Sequence, residues 1–401
     1  MLMHWIWFAQ LDKISNHTKQ ILLQHFRDPE DIYHTESRAL AQIKGLSEEG
    51  LSALEDKNLT RAEEISSLCR KKGIQILTYS DISYPAKLRN IYDPPMVLYI
   101  TGSLPDWEDL PVIGIVGTRK ATPYGMNTAQ RFGGQISACG ALVVSGCATG
   151  IDAMAMEGAL KAGGTVVGVL GCGVDVVYPA KNKALFERVK NSGCLISECP
   201  PETRPLPWHF LQRNRIITGI SNGLLVVEAP ERSGALNSAR HAMEQGRDVF
   251  VVPGNVDVAA CAGSNALLEE QALPALSGWH VVREYEALYP GKVQKRDIPM
   301  KAEPMDAMVA QEQEIPQPLE KADKKSIDKK DNSTYSVVNN PPAGLNLQER
   351  QVFALITDTP CAVDQIIARS DLSPAAVRTI LTKLTIKGLV QPLPGGQIRT
   401  K

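Results

Sequence analysis

Small and cationic residues follow several apolar runs in the middle of the chain, in a pattern that suits phosphate binding. Glycine lets a ligand approach the backbone closely, and helix N-termini present unpaired N–H groups to anions. Arginine adds a forked guanidinium group that pairs with phosphate oxygens. Because these features recur after several of the apolar runs, the sequence favours an anion-binding site. The candidate residues of such a site are Gly117, Thr118, Arg119, Lys120, Ser145, Gly146, Arg213, Asn214 and Arg215.

The same residues also have structural explanations. Tight strand-to-helix turns require glycine in any doubly wound sheet. The two arginines of the RNR triplet could pair with Glu198 and Glu228, so that one arginine braces the fold while another binds. Trp208 and Phe210, just before the triplet, could stack on bases. Packing at a helix start is the favoured interpretation for both.

Three carboxylates in the same region could support hydrolysis instead of binding. Asp152 stands at the head of an expected helix, where capping of free amides is the first expectation. Asp152, Glu198 and Glu228 could converge at strand ends as a hydrolytic carboxylate pair, a possibility that the sequence leaves open.

Other catalytic and cofactor patterns are absent from the sequence. No GxGxxG follows the first strand of the central region, and no GxxxxGK[ST] or GxSxG motif occurs. The eight cysteines include no CxxC pair and predict neither a zinc site nor a disulfide framework. We therefore expect no catalytic residue, no metal and no cofactor.

Alternating apolar runs and helical stretches between residues 111 and 253 are typical of βαβ units. They predict an α/β fold, a Rossmann-like, doubly wound, mostly parallel sheet whose functional loops lie at the carboxyl ends of its strands. Strands are expected at 112–117, 141–146, 165–171, 194–197, 223–229 and 248–254, and helices from about 122, 151, 180, 209 and 234.

Three further regions flank this domain, which is predicted to span 79–290. Residues 1–78 show helical spacing without a clear strand and predict an all-helical module of the SAM or helix-hairpin-helix type, with IKGL around Gly45 as a possible DNA-contacting turn. A packing role is favoured for that turn. Residues 291–342, with six prolines and one aromatic residue, predict a flexible linker. Residues 343–401 predict a winged helix that binds either DNA or protein.

The charge balance limits how this protein could hold a polyanion. The formal net charge is −1, and residues 105–290 carry 15 Lys+Arg against 18 Asp+Glu. A broad basic face is excluded, which favours a focused groove of few contacts. No run approaches the roughly 20 apolar residues of a membrane span. The apolar start, MLMHWIWFAQL, lacks the flanks of a signal peptide, so a cytoplasmic protein is expected.

Several strings of the central domain resemble the DprA (Smf) family, the DNA-processing proteins of bacterial natural transformation. They occur in family order, and the helical front module and winged-helix tail also look like the family's arrangement. The matching strings include VGTRKATPYG (116–125), SGCATGIDAMAMEGAL (145–160), GCGVDVVYP (171–179), RNRIITGIS (213–221), VVEAPERSGAL (226–236) and VPGN (252–255).

This resemblance implies a non-enzymatic, dimeric protein that binds single-stranded DNA, protects incoming DNA and loads the RecA recombinase. It also implies that Arg119 is the phosphate-binding arginine of a pocket shared with the Ser145-Gly146 loop and the RNR triplet. Two alternatives stay open. One is a nucleotide-binding enzyme of the phosphoribohydrolase type, with Glu228 as its carboxylate. The other is a winged-helix transcription regulator.

Overall fold

A nine-stranded mixed sheet organises the larger part of the chain in the computed structural model. The structure describes residues 1–43 and 45–296 and individual residues between 349 and 400. The chain divides into two units, Met1–Ile315 and Pro316–Lys401. The strands of the first unit are β1 (Gln75–Thr78), β2 (Val97–Gly102), β3 (Val112–Val116), β4 (Leu142–Ser145), β5 (Val166–Leu170), β6 (Cys194–Ser197), β7 (Gly223–Val226), β8 (Asp248–Val251) and β9 (Leu273–Pro274).

The strand order is β1-β2-β6-β5-β4-β3-β7-β8-β9. Strands from β6 to β9 run parallel, whereas β1 and β2 add an antiparallel edge. The chain winds outward from β3 in one direction as far as β6 and then returns to build β7, β8 and β9 on the other side. Neighbouring strands β3 and β7 therefore form the topological switch point, where an open α/β sheet has a crevice at its carboxyl edge.

Helices cover the sheet and form a separate layer at the start of the chain. They are α1 (Leu2–Gln10), α2 (Asn16–His25), α3 (Pro29–His34), α4 (Ser37–Leu40), α5 (Glu48–Glu55), α6 (Thr60–Lys72), α7 (Ala86–Arg89), α8 (Pro123–Ala138), α9 (Ile151–Lys161), α10 (Lys183–Ser192), α11 (Pro207–Ile220), α12 (Gly234–Glu244), α13 (Ala262–Glu269) and α14 (Gly278–Val282). The doubly wound fold predicted from the apolar runs is confirmed.

Local sequence explains why the central elements begin and pack where they do. The strands are rich in valine, leucine and isoleucine and are buried on both faces, as parallel strands require. Thr122 caps α8 by accepting a hydrogen bond from the Gly125 N–H, and Pro123 occupies its first position. Helices α8 and α9 approach so closely at Gly133 that a methyl group there would collide with the backbone of Ala155. Glycine at this position permits the close packing.

The first 72 residues fold into six helices whose core continues into the sheet. Helix α1 buries Trp5, Ile6, Trp7 and Phe8 in the cluster that also contains Tyr99 of β2. The helical character expected here is found, but the segment also holds strand β1, contrary to the prediction of no strand before residue 78. This four-residue edge strand is too short to show a clear alternating pattern. The SAM or helix-hairpin-helix type stays a prediction, and Lys44 of its turn lies outside the described residues.

The packed body of the first unit continues past its predicted end at residue 290. Val293 is buried against the main core, and the Gln294 N–H donates to the Cys139 carbonyl. Lys292 Nζ lies 2.6 Å from Asp109 Oδ1. Most of the predicted linker, residues 297–342, lies outside the described residues. Among the helices that the structure does describe, none is long and apolar enough to cross a membrane.

The second unit contains a three-stranded antiparallel sheet in the order β10-β12-β11. Its strands are β10 (Cys361–Ala362), β11 (Val390–Leu393) and β12 (Gln397–Thr400). Helical residues such as Val352, Phe353 and Leu384 are buried in its core. This combination of helices and a small antiparallel wing is the architecture predicted for the tail.

Candidate nucleic-acid interface

A cleft of about 360 Å³ opens at the switch point between β3 and β7. The loop after β3, the loop after β7 and the first turns of α11 and α12 enclose it. The backbone holds the two loops side by side, since the Thr118 N–H donates to the Glu228 carbonyl over 2.7 Å. The lining residues include Gly117, Thr118, Arg119, Ala148, Asp152, Pro207, Phe210, Leu211, Arg213, Asn214, Arg232, Ser233, Gly234 and Ser238.

Arg119 is an exposed cation of this cleft. Its guanidinium carbon lies 5.2 Å from the centre of the Phe210 ring, and the Tyr178 ring lies 5.4 Å from that of Phe210. Cation–π contact of this kind orients a guanidinium while leaving its N–H groups free. Within the described part of the chain no carboxylate lies within ion-pair distance of Arg119. These N–H groups are therefore available to an anion.

Arg213 forms the floor of the cleft rather than its rim. The side chain is buried, and Nη1 donates to the carbonyls of Gly146, at 2.8 Å, and Val169. Burial lowers the pKa of this guanidinium, while the nearby carboxylate of Asp152 opposes that shift. Nε is buried and has no hydrogen-bond partner among the described residues. One strong donor of a buried cation is thus left for a ligand, because buried polar groups are otherwise almost always paired.

Gly146 is needed for this arrangement. A side-chain carbon at that position would occupy the place of the Arg213 guanidinium. The sequence argument assigned this glycine to close approach of a ligand, but the closest approach is that of a buried arginine. Gly146 also lines a smaller recess of about 80 Å³, together with Arg119, Thr149, Tyr178 and Phe210.

Asp152 holds the loop above Arg213. Its Oδ2 atom accepts a hydrogen bond from the Gly146 N–H over 3.1 Å, and the Ala148 amide is a second donor. Asp152 therefore ties down loop amides ahead of α9 rather than capping the free amides of the helix itself. Burial raises the pKa of this carboxyl, whereas the charge of Arg213 and the two amides act against that rise.

Arg215 does not join the cleft, contrary to the sequence prediction. Its Nη2 donates to both oxygens of Glu198 at 2.8 and 2.7 Å, and its Nε donates to Asp93 at 2.8 Å. Glu198 in turn accepts from Asn16 Nδ2 at 2.7 Å. Because α11 turns by about 100° per residue, side chains two positions apart face opposite ways, and the second arginine of the triplet points to the helical layer.

Ser145 is also withdrawn from the surface. It is fully buried, and its hydroxyl donates to the Ile115 carbonyl over 2.6 Å, which joins β4 to β3. Asn214 does line the cleft, but its amide nitrogen is occupied by the Gly234 carbonyl and the Asn237 side chain, each at 3.2 Å. Asn214 thus fixes the first turn of α12 against α11.

The predicted site residues therefore fall into groups. Gly117, Thr118, Arg119, Arg213 and Asn214 line the cleft, and Gly146 lines the adjoining recess. Lys120 is exposed beside Arg119 but is not part of the lining, and Ser145 and Arg215 are structural.

Further residues of the cleft region are not among the candidate site residues predicted from the sequence. Arg232 is exposed in the loop after β7, and Ser233 and Gly234 begin α12, whose Ser233 hydroxyl accepts from the Ala235 N–H. An Arg-Ser-Gly string before a helix was the available signal. Trp208 is 54% exposed on the first turn of α11, although burial was the favoured interpretation.

The three carboxylates considered as a hydrolytic pair each hold another part of the fold. Glu198 pairs with Arg215, and Asp152 binds loop amides. Glu228 is buried, and its two oxygens accept from the N–H and hydroxyl of Thr122 at 2.9 and 2.5 Å, ahead of α8. Of the three, only Asp152 lines the cleft.

The fold and the cleft define a Rossmann-like α/β protein with an arginine-lined cleft at its switch point and a winged helix in its second unit. A family model described as DNA recombination-mediator protein A matches residues 75–286, and one described as the DprA winged helix domain matches residues 339–396. The chain belongs to this DprA (Smf) family of DNA-processing, recombination-mediator proteins.

Individual relatives extend the match to nearly the whole chain. Protein Smf of Synechocystis sp. is 31% identical over 98% of this chain and 97% of its own length. DNA processing protein DprA of Bacillus subtilis is 40% identical over 54% of this chain and 72% of its own. The X-ray structure of DNA processing protein A from Streptococcus pneumoniae has a TM-score of 0.62 and 30% identity, covering 71% of this chain and 98% of that one.

Proposed function

We propose that this protein binds single-stranded DNA in the β3–β7 cleft, protects incoming DNA and loads the RecA recombinase during natural transformation, without an enzymatic activity of its own. The observation that carries the proposal is the Arg119 guanidinium at the mouth of the cleft, which is exposed and has no acidic partner among the described residues. Arg232, the N-terminus of α12 and the free Nε of Arg213 add positive potential to the same space.

Aromatic side chains around Arg119 support single-stranded rather than duplex DNA. The Phe210 ring lies 5.2 Å from the guanidinium carbon and 5.4 Å from the Tyr178 ring, and Tyr178 is 41% exposed. Unpaired bases stack on such rings with about 1–3 kcal/mol each, independent of sequence. The bases of a duplex are already stacked and cannot use these surfaces without unpairing.

The arrangement of the carboxylates supports a binding function over hydrolysis. A phosphoribohydrolase would require a carboxylate directed at the sugar carbon, but Glu228 has both oxygens committed to Thr122. The remaining lining carboxylate, Asp152, is committed to the amide of Gly146 beside a buried arginine.

The direct test is fluorescence anisotropy with labelled single-stranded and duplex oligonucleotides across a salt series. Arg119→Ala should weaken single-strand binding about tenfold and reduce the slope of log K against log salt by about 0.7, the value for one phosphate contact. Arg131, exposed on α8 and stacked on Phe132, gives the control Arg131→Ala, which should keep wild-type affinity.

Two outcomes would contradict this proposal. If Arg119→Ala binds single strands as tightly as the Arg131→Ala control, the cleft is not the binding site. Release of free base from nucleoside monophosphates by the wild-type protein, lost in Arg119→Ala, would support the enzyme alternative instead.

We also propose that the protein acts as a homodimer. Strand β9 lies at one edge of the sheet, and Leu273 within it and Leu276 just after it are exposed. Exposed leucines at a sheet edge favour association with a second copy. Leu276→Glu should lower the mass measured by light scattering to that of a monomer. Ile82→Glu, at a fully exposed isoleucine in the loop after β1, is the matched control and should not.

RecA loading can be tested separately from DNA binding. RecA ATPase on DNA coated with single-strand-binding protein should start sooner in the presence of wild-type protein and not in the presence of Arg119→Ala. An equally early start with Arg119→Ala would show that loading does not need the cleft.

The winged helix is proposed to contact either DNA or protein. Arg378 and Lys383 lie on its predicted recognition helix, and Lys383 is exposed. The double charge reversal Arg378→Glu/Lys383→Glu should weaken duplex binding if this helix contacts DNA. Unchanged duplex binding would support the protein-docking alternative.

A further inference from the structure

Two histidines and a glutamate meet where α1 packs on α3, away from the cleft. His4 lies on α1, and Glu30 and His34 lie four residues apart on α3, which places them on one face of that helix. One potential ligand atom from each of the three residues lies within 4.8 Å of the others. We call these residues the His4–Glu30–His34 cluster.

One buried polar atom of the cluster has no hydrogen-bond partner among the described residues. The Nδ1 atom of His4 is buried and makes no hydrogen bond within the described residues, and it lies 3.5 Å from Glu30 Oε2. The His4 side chain is only 12% exposed, with its ring against those of Tyr33 and His34. A buried ring nitrogen aimed at a carboxylate without bonding to it suggests that a third group belongs between them.

We propose that this cluster binds a divalent transition-metal ion of the Zn²⁺ type. Two imidazoles and one carboxylate are ligands that Zn²⁺ accepts, with water in the fourth position. Ligand atoms around one tetrahedral Zn²⁺ lie roughly 3.4 Å apart, since Zn–N and Zn–O bonds are about 2.0–2.2 Å long. The His4–Glu30 pair already has this spacing, and the exposed side chain of His34 can close the remaining distance by rotation.

The ion would act as a structural clamp. Helix α3 has six residues, too few to be stable by itself, and it is joined to α1 through packing. The Met1 amino group lies 2.9 Å from Glu30 Oε2, so an ammonium–carboxylate pair is the competing explanation for the position of Glu30. That pair involves neither histidine, and the two explanations therefore predict different effects of replacing His34.

The test is isothermal titration of ZnCl₂ into the full chain, free of a histidine tag and stripped with EDTA. We expect one saturable site per chain in the wild type. His34→Ala and Glu30→Gln should each weaken its affinity at least tenfold. His241 provides the control, because its Nδ1 also lies 3.5 Å from a carboxylate, that of Glu244, but is not part of a three-ligand cluster. His241→Ala should stay within twofold of wild type.

Thermal unfolding provides a second readout that does not depend on titration heats. Zn²⁺ at ten times its Kd should raise the melting temperature of the wild type by about 3 °C, because it binds only the folded chain. His34→Ala, checked by circular dichroism for an unchanged helix content, should show no rise.

Three results would overturn the inference. These are no saturable Zn²⁺ binding by the wild type, wild-type affinity in His34→Ala, or an equal loss in His241→Ala. The sequence analysis predicted no metal from the cysteine spacing, and this site arises instead from histidines that only the packing of α1 on α3 brings together.

Discussion

Replacing Arg215 with methionine should destabilise the protein without weakening its affinity for single-stranded DNA. Arg215 is buried between Glu198 and Asp93, and Glu198 also accepts a hydrogen bond from Asn16 at the start of α2. The side chain therefore links α11 to the helical layer rather than to the cleft. Methionine fills a similar volume but leaves both carboxylates without their cation.

The expected magnitude follows from burial. Removing one partner of a fully buried ion pair costs about 3–5 kcal/mol. The side chains of Glu198 and Asp93 are 31% and 39% exposed, so water would solvate part of the charge that is released. We therefore expect a loss of about 2–3 kcal/mol in the free energy of unfolding, or roughly 3–5 °C in melting temperature for a unit of this size.

Urea denaturation measures the stability, and anisotropy with a labelled single strand measures the affinity. Arg188→Met is the matched control, because Arg188 pairs with Glu157 at the surface, where such a pair contributes about 0–1 kcal/mol. Wild-type stability together with lost DNA binding in Arg215→Met would refute this structural role, since Arg215 would then be a DNA contact as the sequence first indicated.

Three further changes test the remaining assignments. Burial lowers the pKa of Lys19 from 10.5 to about 8. Between these pH values the unfolded chain binds more protons than the folded one, so the stability of the wild type should rise with pH. Measured by urea denaturation, the wild type should gain about 2 kcal/mol relative to Lys19→Met between pH 7.5 and 9.5. Glu228→Gln removes the negative charge that accepts hydrogen bonds from Thr122 ahead of α8. It should lower the free energy of unfolding by about 1–2 kcal/mol and leave the affinity for single strands within twofold of wild type. A catalytic Glu228 would instead predict full stability and lost turnover. Gly146→Ala should displace the Arg213 guanidinium, costing about 1–3 kcal/mol and weakening DNA binding; a variant with wild-type stability and affinity would contradict the role of Arg213 as the floor of the cleft.

Much of the central fold could be predicted because parallel strands are continuous apolar runs. The expected strand at 223–229, for example, corresponds to Gly223–Val226, and the helix expected from about 151 begins at Ile151. Strand β1 was missed for the opposite reason. Four residues at a sheet edge, joined to a helical layer, carry too little pattern to separate a strand from a helix end.

Some residues of the site could also be predicted from the sequence. Arg119 follows the Gly117-Thr118 turn after β3, and the carboxyl end of a strand in a doubly wound sheet is an exposed place for a cation. The RNR triplet was harder to interpret. Its three residues are adjacent on one helix, so local sequence does not distinguish their roles. In the fold, Arg213 lies under the cleft, Asn214 fixes α12 and Arg215 faces Glu198.

The sequence by itself thus determined the order of the elements, the glycine-rich strand ends and the exposed arginine that follows the first of them, because these depend on local patterns of residue type. Only the tertiary structure decided which cation stays free. The guanidinium of Arg215 is paired because packing places Glu198 beside it, whereas no described carboxylate lies within ion-pair distance of Arg119. Trp208 and the His4–Glu30–His34 cluster show the same dependence, since exposure and proximity are set by elements distant in the chain.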